Sequence, residues 1–176
     1  MSKLLIRLIA FNFLWILTAL MAKTDYINYL LLGFFGLFLW DFRKASLRLR
    51  FVSMLILVVG STFDFLCFRN GIINFYGDDV FFLPKWLLAL WLLFGWVAPY
   101  LIQQFKDRRF VISSLSSVFG PLSYYSGISF GIINIPNQTF FLIYGVFWGV
   151  FIYLVHWLSL SKLRVSKLGE TDGSRK

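Results

Sequence analysis

The sequence predicts an all-α fold: a polytopic membrane helix bundle of six transmembrane helices with both termini in the cytoplasm. Three observations predict it. The chain is 59% hydrophobic and 21% aromatic, with a mean hydropathy of +0.76. A soluble domain of ordinary composition is about 45–50% apolar, glycine included, and a chain of this size cannot bury so much apolar surface in a core of its own. The apolar residues gather in six runs, and the basic residues alternate between the loops that join them.

A helix needs about 20 mostly apolar residues to cross the hydrocarbon. The first run, residues 4–22, has a basic start (Lys3, Arg7) like a signal peptide. No small-x-small cleavage site precedes Lys23, so it reads as a retained helix. The second run, 26–40, is short; the third and fourth are 51–68 and 83–102. The fifth, 110–130, is the most polar, and the sixth is 140–160. Residues 1–160 thus form one transmembrane domain. Residues 161–176 form a polar cytoplasmic tail expected to be disordered.

Of the 17 lysines and arginines, 14 fall in one alternating set of regions: Lys3 and Arg7; Arg43, Lys44, Arg48 and Arg50; Lys106, Arg108 and Arg109; Lys162, Arg164, Lys167, Arg175 and Lys176. The other loops hold only Lys23, Arg69 and Lys85. Basic loops stay in the cytoplasm, and the alternation holds only with six crossings. The net charge of +9 is therefore a topology signal and not a nucleic-acid face. With one cysteine (Cys67) and one histidine (His156), the chain forms no internal disulfide and offers no histidine-rich metal site. No cofactor is expected. The expected partners are membrane lipids or a second membrane protein.

Small residues let helices approach closely in lipid. Ser113, Ser117, Gly120, Tyr124, Gly127 and Gly131 recur at helical spacing in the fifth run, Gly145 and Gly149 in the sixth, and Ser53, Gly60, Asp64 and Cys67 share a face of the third. These three faces are expected to look into the bundle. Pro121 removes a backbone hydrogen bond from the fifth helix, and the freed carbonyl needs a partner inside protein or water. This helix is therefore the one expected to line a cavity. Gly71-Ile72-Ile73-Asn74 returns 60 residues later as Gly131-Ile132-Ile133-Asn134, which suggests that the third and fourth helices repeat as the fifth and sixth.

Asp64 is the foremost candidate for chemistry. It stands about 21 Å along its helix from Arg50, at 1.5 Å per residue. An intramembrane carboxylate is costly and faces the bundle interior. Tyr124, at similar depth, can meet it if the third and fifth helices touch. The pair reads either as an acid/base or headgroup-binding site or as a structural bond between helices. Arg69 and Tyr125 are candidates for binding a lipid phosphate or other substrate, with interfacial anchoring as the alternative for Arg69. Asp78 and Asp79 after Gly77 read as an exposed turn. His156 lies toward the cytoplasmic end, away from Asp64. No arrangement of a metal-dependent or nucleophilic hydrolase is present. Whether the chain is an enzyme stays open.

Residues 61–159 carry Asp64 followed by Gly71 and Phe75, then Pro84-Lys85-Trp86-Leu87-Leu88-Ala89-Leu90-Trp91, then Gly120-Pro121-Leu122-Ser123-Tyr124 with Gly127. In these blocks the chain resembles the family of bacterial membrane proteins known as DUF2878, a domain of unknown function. The resemblance implies a small multi-pass protein of the bacterial inner membrane, in the sphere of envelope lipids, and brings no catalytic residues or cofactor. Binding or modification of a lipid is the function expected. A small transporter or channel, or a non-catalytic scaffold for another membrane enzyme, is the alternative.

Overall fold

The computed structural model describes residues 3–76 and 82–172, with side chains described through Ser159. Six helices follow one another: α1 (Lys3–Met21), α2 (Ile27–Lys44), α3 (Leu47–Arg69), α4 (Lys85–Gln104), α5 (Arg109–Ser129) and α6 (Thr139–Asp172). Two short strands, β1 (Asn74–Phe75) and β2 (Ile133–Asn134), complete the fold. The expectation for the Asp78–Asp79 turn falls outside the described residues, as do residues 173–176 of the polar tail; residues 161–172, expected to be disordered, instead continue the backbone of α6 to Asp172.

Four helices are long and apolar enough to cross a membrane: α1, α3, α4 and the Thr139–Ser159 part of α6. The other two differ for local reasons. In 18 residues α2 carries Asp41, Arg43 and Lys44, and α5 is diluted by seven serines.

The links between helices explain their packing. Ser46 caps α3 by accepting from the Leu49 amide at 3.4 Å. Arg50 reaches back to donate to the Ala45 and Arg43 carbonyls at 2.9 and 2.8 Å, satisfying the end of α2. At the same end of the bundle Arg7 of α1 forms a salt bridge with Asp41 of α2 at 2.5 Å. Arg7 also donates to the Trp96 carbonyl of α4 at 3.2 Å, and Tyr100 donates to Asp41 at 2.8 Å. Arg7 lies over the Tyr100 ring, 3.8 Å from its centroid. One ion pair therefore ties α1, α2 and α4 together. The apolar contact of α2 with α4 adds to it through Phe34, Phe38, Ala89, Leu92 and Leu93.

At the opposite end the repeated tetrapeptide has a structural meaning. Gly71 and Gly131 take φ of 68° and 64°, a left-handed conformation that suits glycine. Each ends its helix in the same way. Gly71 N–H donates to the Phe68 carbonyl and Ile72 N–H to that of Cys67; Gly131 N–H donates to Ile128 and Ile132 N–H to Gly127. The two asparagines then face each other across the antiparallel β1–β2 pair, with Phe75 opposite Ile133. Equivalent residues in register place a local two-fold axis between Asn74 and Asn134.

The offset of 60 continues into the helices. Gly60 and Gly120 are equivalent, and each lies beneath a tryptophan of the helix that follows. A Cβ at Gly60 would collide with the ring of Trp91, and one at Gly120 with that of Trp148. The two indoles stack on each other, 5.9 Å between centroids and 8° from parallel. Gly145 and Gly149 bring α6 onto α5: a Cβ at Gly145 would lie 3.1 Å from the Ser117 carbonyl, the one left without its helical donor by Pro121. Ser113 donates to the Gly149 carbonyl at 2.6 Å. Gly127 also touches protein, beneath the Ile133 side chain. Gly131, expected on the same helical stripe, instead lies past the end of α5, so its glycine serves the turn and not a helix seam.

Replacing Gly60 with alanine forces Trp91 to move. Gly60→Ala is expected to lower stability in detergent by about 1–3 kcal/mol, the usual cost of overpacking. Gly36→Ala, where an added Cβ meets nothing within 4 Å, should be neutral or stabilising by up to about 1 kcal/mol. Thermal unfolding followed by size-exclusion chromatography compares the two; equal melting would contradict this packing.

Candidate functional site

Asp64 has no solvent exposure and sits where α3, α4, α5 and α6 converge. Its carboxylate accepts three neutral donors, one from each of the other three helices. Tyr124 of α5 lies 2.9 Å from Oδ1 and 2.8 Å from Oδ2. Tyr144 of α6 donates to Oδ1 at 3.0 Å, and the Trp91 indole of α4 to Oδ2 at 2.8 Å. Tyr124 and Tyr144 pack edge to face at 4.8 Å, and Phe63 of α3 closes on Tyr144 at 5.0 Å. An acceptor-only group surrounded by three donors is a satisfied arrangement, and it answers the cost of placing a carboxylate among apolar side chains.

The expected Asp64–Tyr124 pair is therefore present, with the phenol of α5 reaching the carboxylate of α3. Trp91 and Tyr144 complete the cluster, and the sequence does not mark them as partners. Their signal was weak: Trp91 lies over the Gly60 of the Asp64 face, and Tyr144 precedes Gly145 on α6. Cys67, one turn beyond Asp64, is also buried. Arg69 and Tyr125 are elsewhere. Arg69 is exposed at the end of α3, and Tyr125 is 54% exposed on the outer face of α5, against Phe141. The structure does not bring either to Asp64. His156 is buried midway along α6, about three turns beyond Tyr144, its Nε2 3.0 Å from the Phe105 carbonyl.

Beside this cluster is a groove of about 420 Å³. Its floor is α4 and α6, and its walls are α1 and α5. Trp86, Leu87, Trp91, Phe94, Leu101 and Ile102 contribute from α4, with Trp148 and Ile152 from α6. Phe11, Asn12 and Trp15 form one wall; Ile112, Ser116, Phe119, Gly120, Ser123, Tyr124, Ser126 and Gly127 form the other. From Trp86 to Ile102 the groove follows α4 for roughly 24 Å at 1.5 Å per residue. Phe119 on its rim is 63% exposed, so it opens sideways between α1 and α5. The helix carrying Pro121 lines this cavity, as its sequence suggests.

Tyr124 and Trp91 belong to both features. They line the groove and donate to Asp64, which stands behind the wall and is not itself a lining residue. Asp64 is thus positioned to fix two side chains of the groove and not to touch an occupant.

The family model described as "Protein of unknown function (DUF2878)" matches residues 4–154. No curated protein and no solved structure matches the chain.

Removing a donor leaves the carboxylate less satisfied, and an amide at position 64 turns N–H groups toward the donors around it. Tyr124→Phe, Tyr144→Phe and Asp64→Asn are each expected to cost about 1.5–3 kcal/mol, the range for hydrogen bonds to a charged group. Their effects should be non-additive in a double-mutant cycle because the groups share one network. Equilibrium unfolding in mixed micelles reads this; strictly additive losses would contradict a shared cluster.

Proposed function

The chain belongs to the DUF2878 family, whose function is unknown, and we propose that it is a lipid-binding protein that takes an acyl chain from the bilayer into the groove between α1 and α5. The observation that carries this reading is the groove itself. Its volume, 420 Å³, falls in the range of small-molecule sites, about 300–1,000 Å³. Its lining is mostly aliphatic and aromatic, and its opening is lateral. In a bilayer the molecules beside such an opening are lipid tails. The polar fifth helix supplies few free hydrogen bonds to compete: Ser116, Ser123 and Ser126 donate to the carbonyls of Ile112, Gly120 and Leu122.

The same reading places six spans in a bacterial inner membrane with both termini cytoplasmic. Supporting it, 14 of the 17 lysines and arginines lie on one side of that topology. Local pairing makes α2 and α5 compatible with lipid. Asp41 of α2 is matched by Arg7, while Arg43 and Lys44 occupy its last turn and can extend to the interface. Five serines of α5, Ser113, Ser116, Ser117, Ser123 and Ser126, bond within the protein, as a spanning helix requires.

In this account Asp64 is a positioning residue and Tyr124 a wall residue whose hydroxyl is held away from reaction. Transport has the two-fold repeat in its favour. Against it, the acid at the repeat interface has its oxygens occupied by Tyr124, Tyr144 and Trp91, so no ligand for a passing ion is free there.

A lipid carrying a photoactivatable group in mid-chain tests the reading. Crosslinks to the full protein in vesicles should concentrate on the groove, at Phe11, Trp15, Phe119 and Ser123. They should be severalfold rarer at Val58 and Leu142, which are exposed on other faces. Ser123→Trp, filling the groove, should abolish that enrichment. Uniform labelling of all exposed apolar positions would overturn the proposal.

A further inference from the structure

The groove is not uniform along its length. Its end near Leu101, Ile102 and Ile112 is apolar; polar side chains line the rest, Asn12 and Ser116 as well as Ser123, Tyr124 and Ser126, the last three toward the end carrying β1 and β2. Beyond that end stands Lys23, in the link between α1 and α2. Its ammonium is 4.9 Å from the centroid of the Tyr76 ring, and a Cβ on Gly131 would be 3.0 Å from its Nζ. Both neighbours adjoin the groove wall. Gly131 precedes the lining residue Ile132, and the Tyr76 carbonyl accepts from the indole of the lining residue Trp86 at 2.8 Å. Lys23 thus stands at the β1–β2 end of the bundle, beside residues that adjoin the groove lining, and, among the described residues, has no carboxylate partner; the salt bridge among them is Arg7–Asp41, at the other end.

Resting on the groove reading, we propose that the occupant is an acidic amphiphile of the non-cytoplasmic leaflet, its tail in the apolar part of the groove and its oxyanion, a phosphate or a carboxylate, against Lys23. The ammonium orients the molecule: the oxyanion goes to Lys23 at this end, and the apolar end by Leu101, Ile102 and Ile112 is left for the methyl terminus, while the hydroxyls of Ser123, Tyr124 and Ser126 stay with their protein acceptors. A point charge on a flexible stem can meet either anion, since Lys imposes no planar geometry on its partner. Lys23 is also one of only three basic residues expected on that side of the membrane, with Arg69 and Lys85, and Lys85 is engaged with Asn28 at 2.8 Å.

Trp15, Trp86, Trp91 and Trp148 line the groove, so an occupant brominated along its acyl chain quenches their fluorescence. The full chain is placed in phosphatidylcholine nanodiscs and titrated with three brominated probes: a phosphatidylglycerol, a free fatty acid and an uncharged diacylglycerol. The anionic probes should half-saturate the quenching at about fivefold lower mole fraction than the diacylglycerol, the factor equivalent to roughly 1 kcal/mol for one basic residue near an anionic lipid. Lys23→Gln should abolish that advantage, and Lys23→Arg should retain it. Preference for only one anionic probe supports the proposal and identifies whether phosphate or carboxylate is the head group. Equal affinity for all three, or an anionic preference that survives Lys23→Gln, overturns the head-group assignment while leaving the groove occupied. No saturable quenching by any probe, in wild type and Ser123→Trp alike, overturns the groove reading itself.

Discussion

A single carboxylate, wholly buried and met by a tyrosine, a second tyrosine and a tryptophan from three different helices, is the constraint on which the rest of this structure depends. Apolar side chains give little reason for helices to associate in lipid, because the tails are as apolar as they are. An unsatisfied carboxylate gives a strong one. Separating α3 from α4, α5 or α6 removes a donor from Asp64, and nothing in a hydrocarbon replaces it. The small residues make the approach feasible. Gly60 and Gly120 let the Trp91 and Trp148 rings lie against the neighbouring helices, and this brings the Trp91 indole to Oδ2 of Asp64.

The groove follows from the same arrangement. The third to sixth helices form two related hairpins, joined at the paired turns by Asn74 and Asn134. The first two helices are held to α4, partly through Arg7, Asp41 and Tyr100. Among the described residues no comparable polar tie draws α1 onto α5; Trp15 meets Phe130, just past the end of α5, at 5.8 Å. The gap between them is therefore a consequence of where the polar ties are placed. Because Tyr124 and Trp91 point from the groove wall to Asp64, the shape of that wall is coupled to the central cluster.

Much of this was legible in the sequence. All six helices appear as apolar runs, and Asp64 with Tyr124 was readable because an acid and a phenol stand out on faces otherwise made of small residues. The tandem tetrapeptide was readable too, and the two left-handed glycines account for it. Trp91 and Tyr144 were not, since in a chain that is 21% aromatic no single ring identifies itself as a donor. Arg7 carries a topology signal in the sequence, but its pairing with Asp41 depends on the docking of α1 against α2 and α4. The α1–α5 gap left no local trace, because it is set by helices distant in sequence. Gly131 shared the helical spacing of its stripe, but its positive φ places it in a turn.

The claim that Asp64 holds the two hairpins together is tested most directly by a distance measured between them. Spin labels at Val58 on α3 and Val118 on α5, both exposed, report one hairpin against the other in nanodiscs by double electron–electron resonance. A second pair, Val118 and Leu142, reports α5 against α6, which Ser113 and Gly149 join independently. In Asp64→Val the account predicts a broadened or shifted Val58–Val118 distribution and an unchanged Val118–Leu142 distribution. Two distributions identical to those of the unsubstituted protein would contradict it.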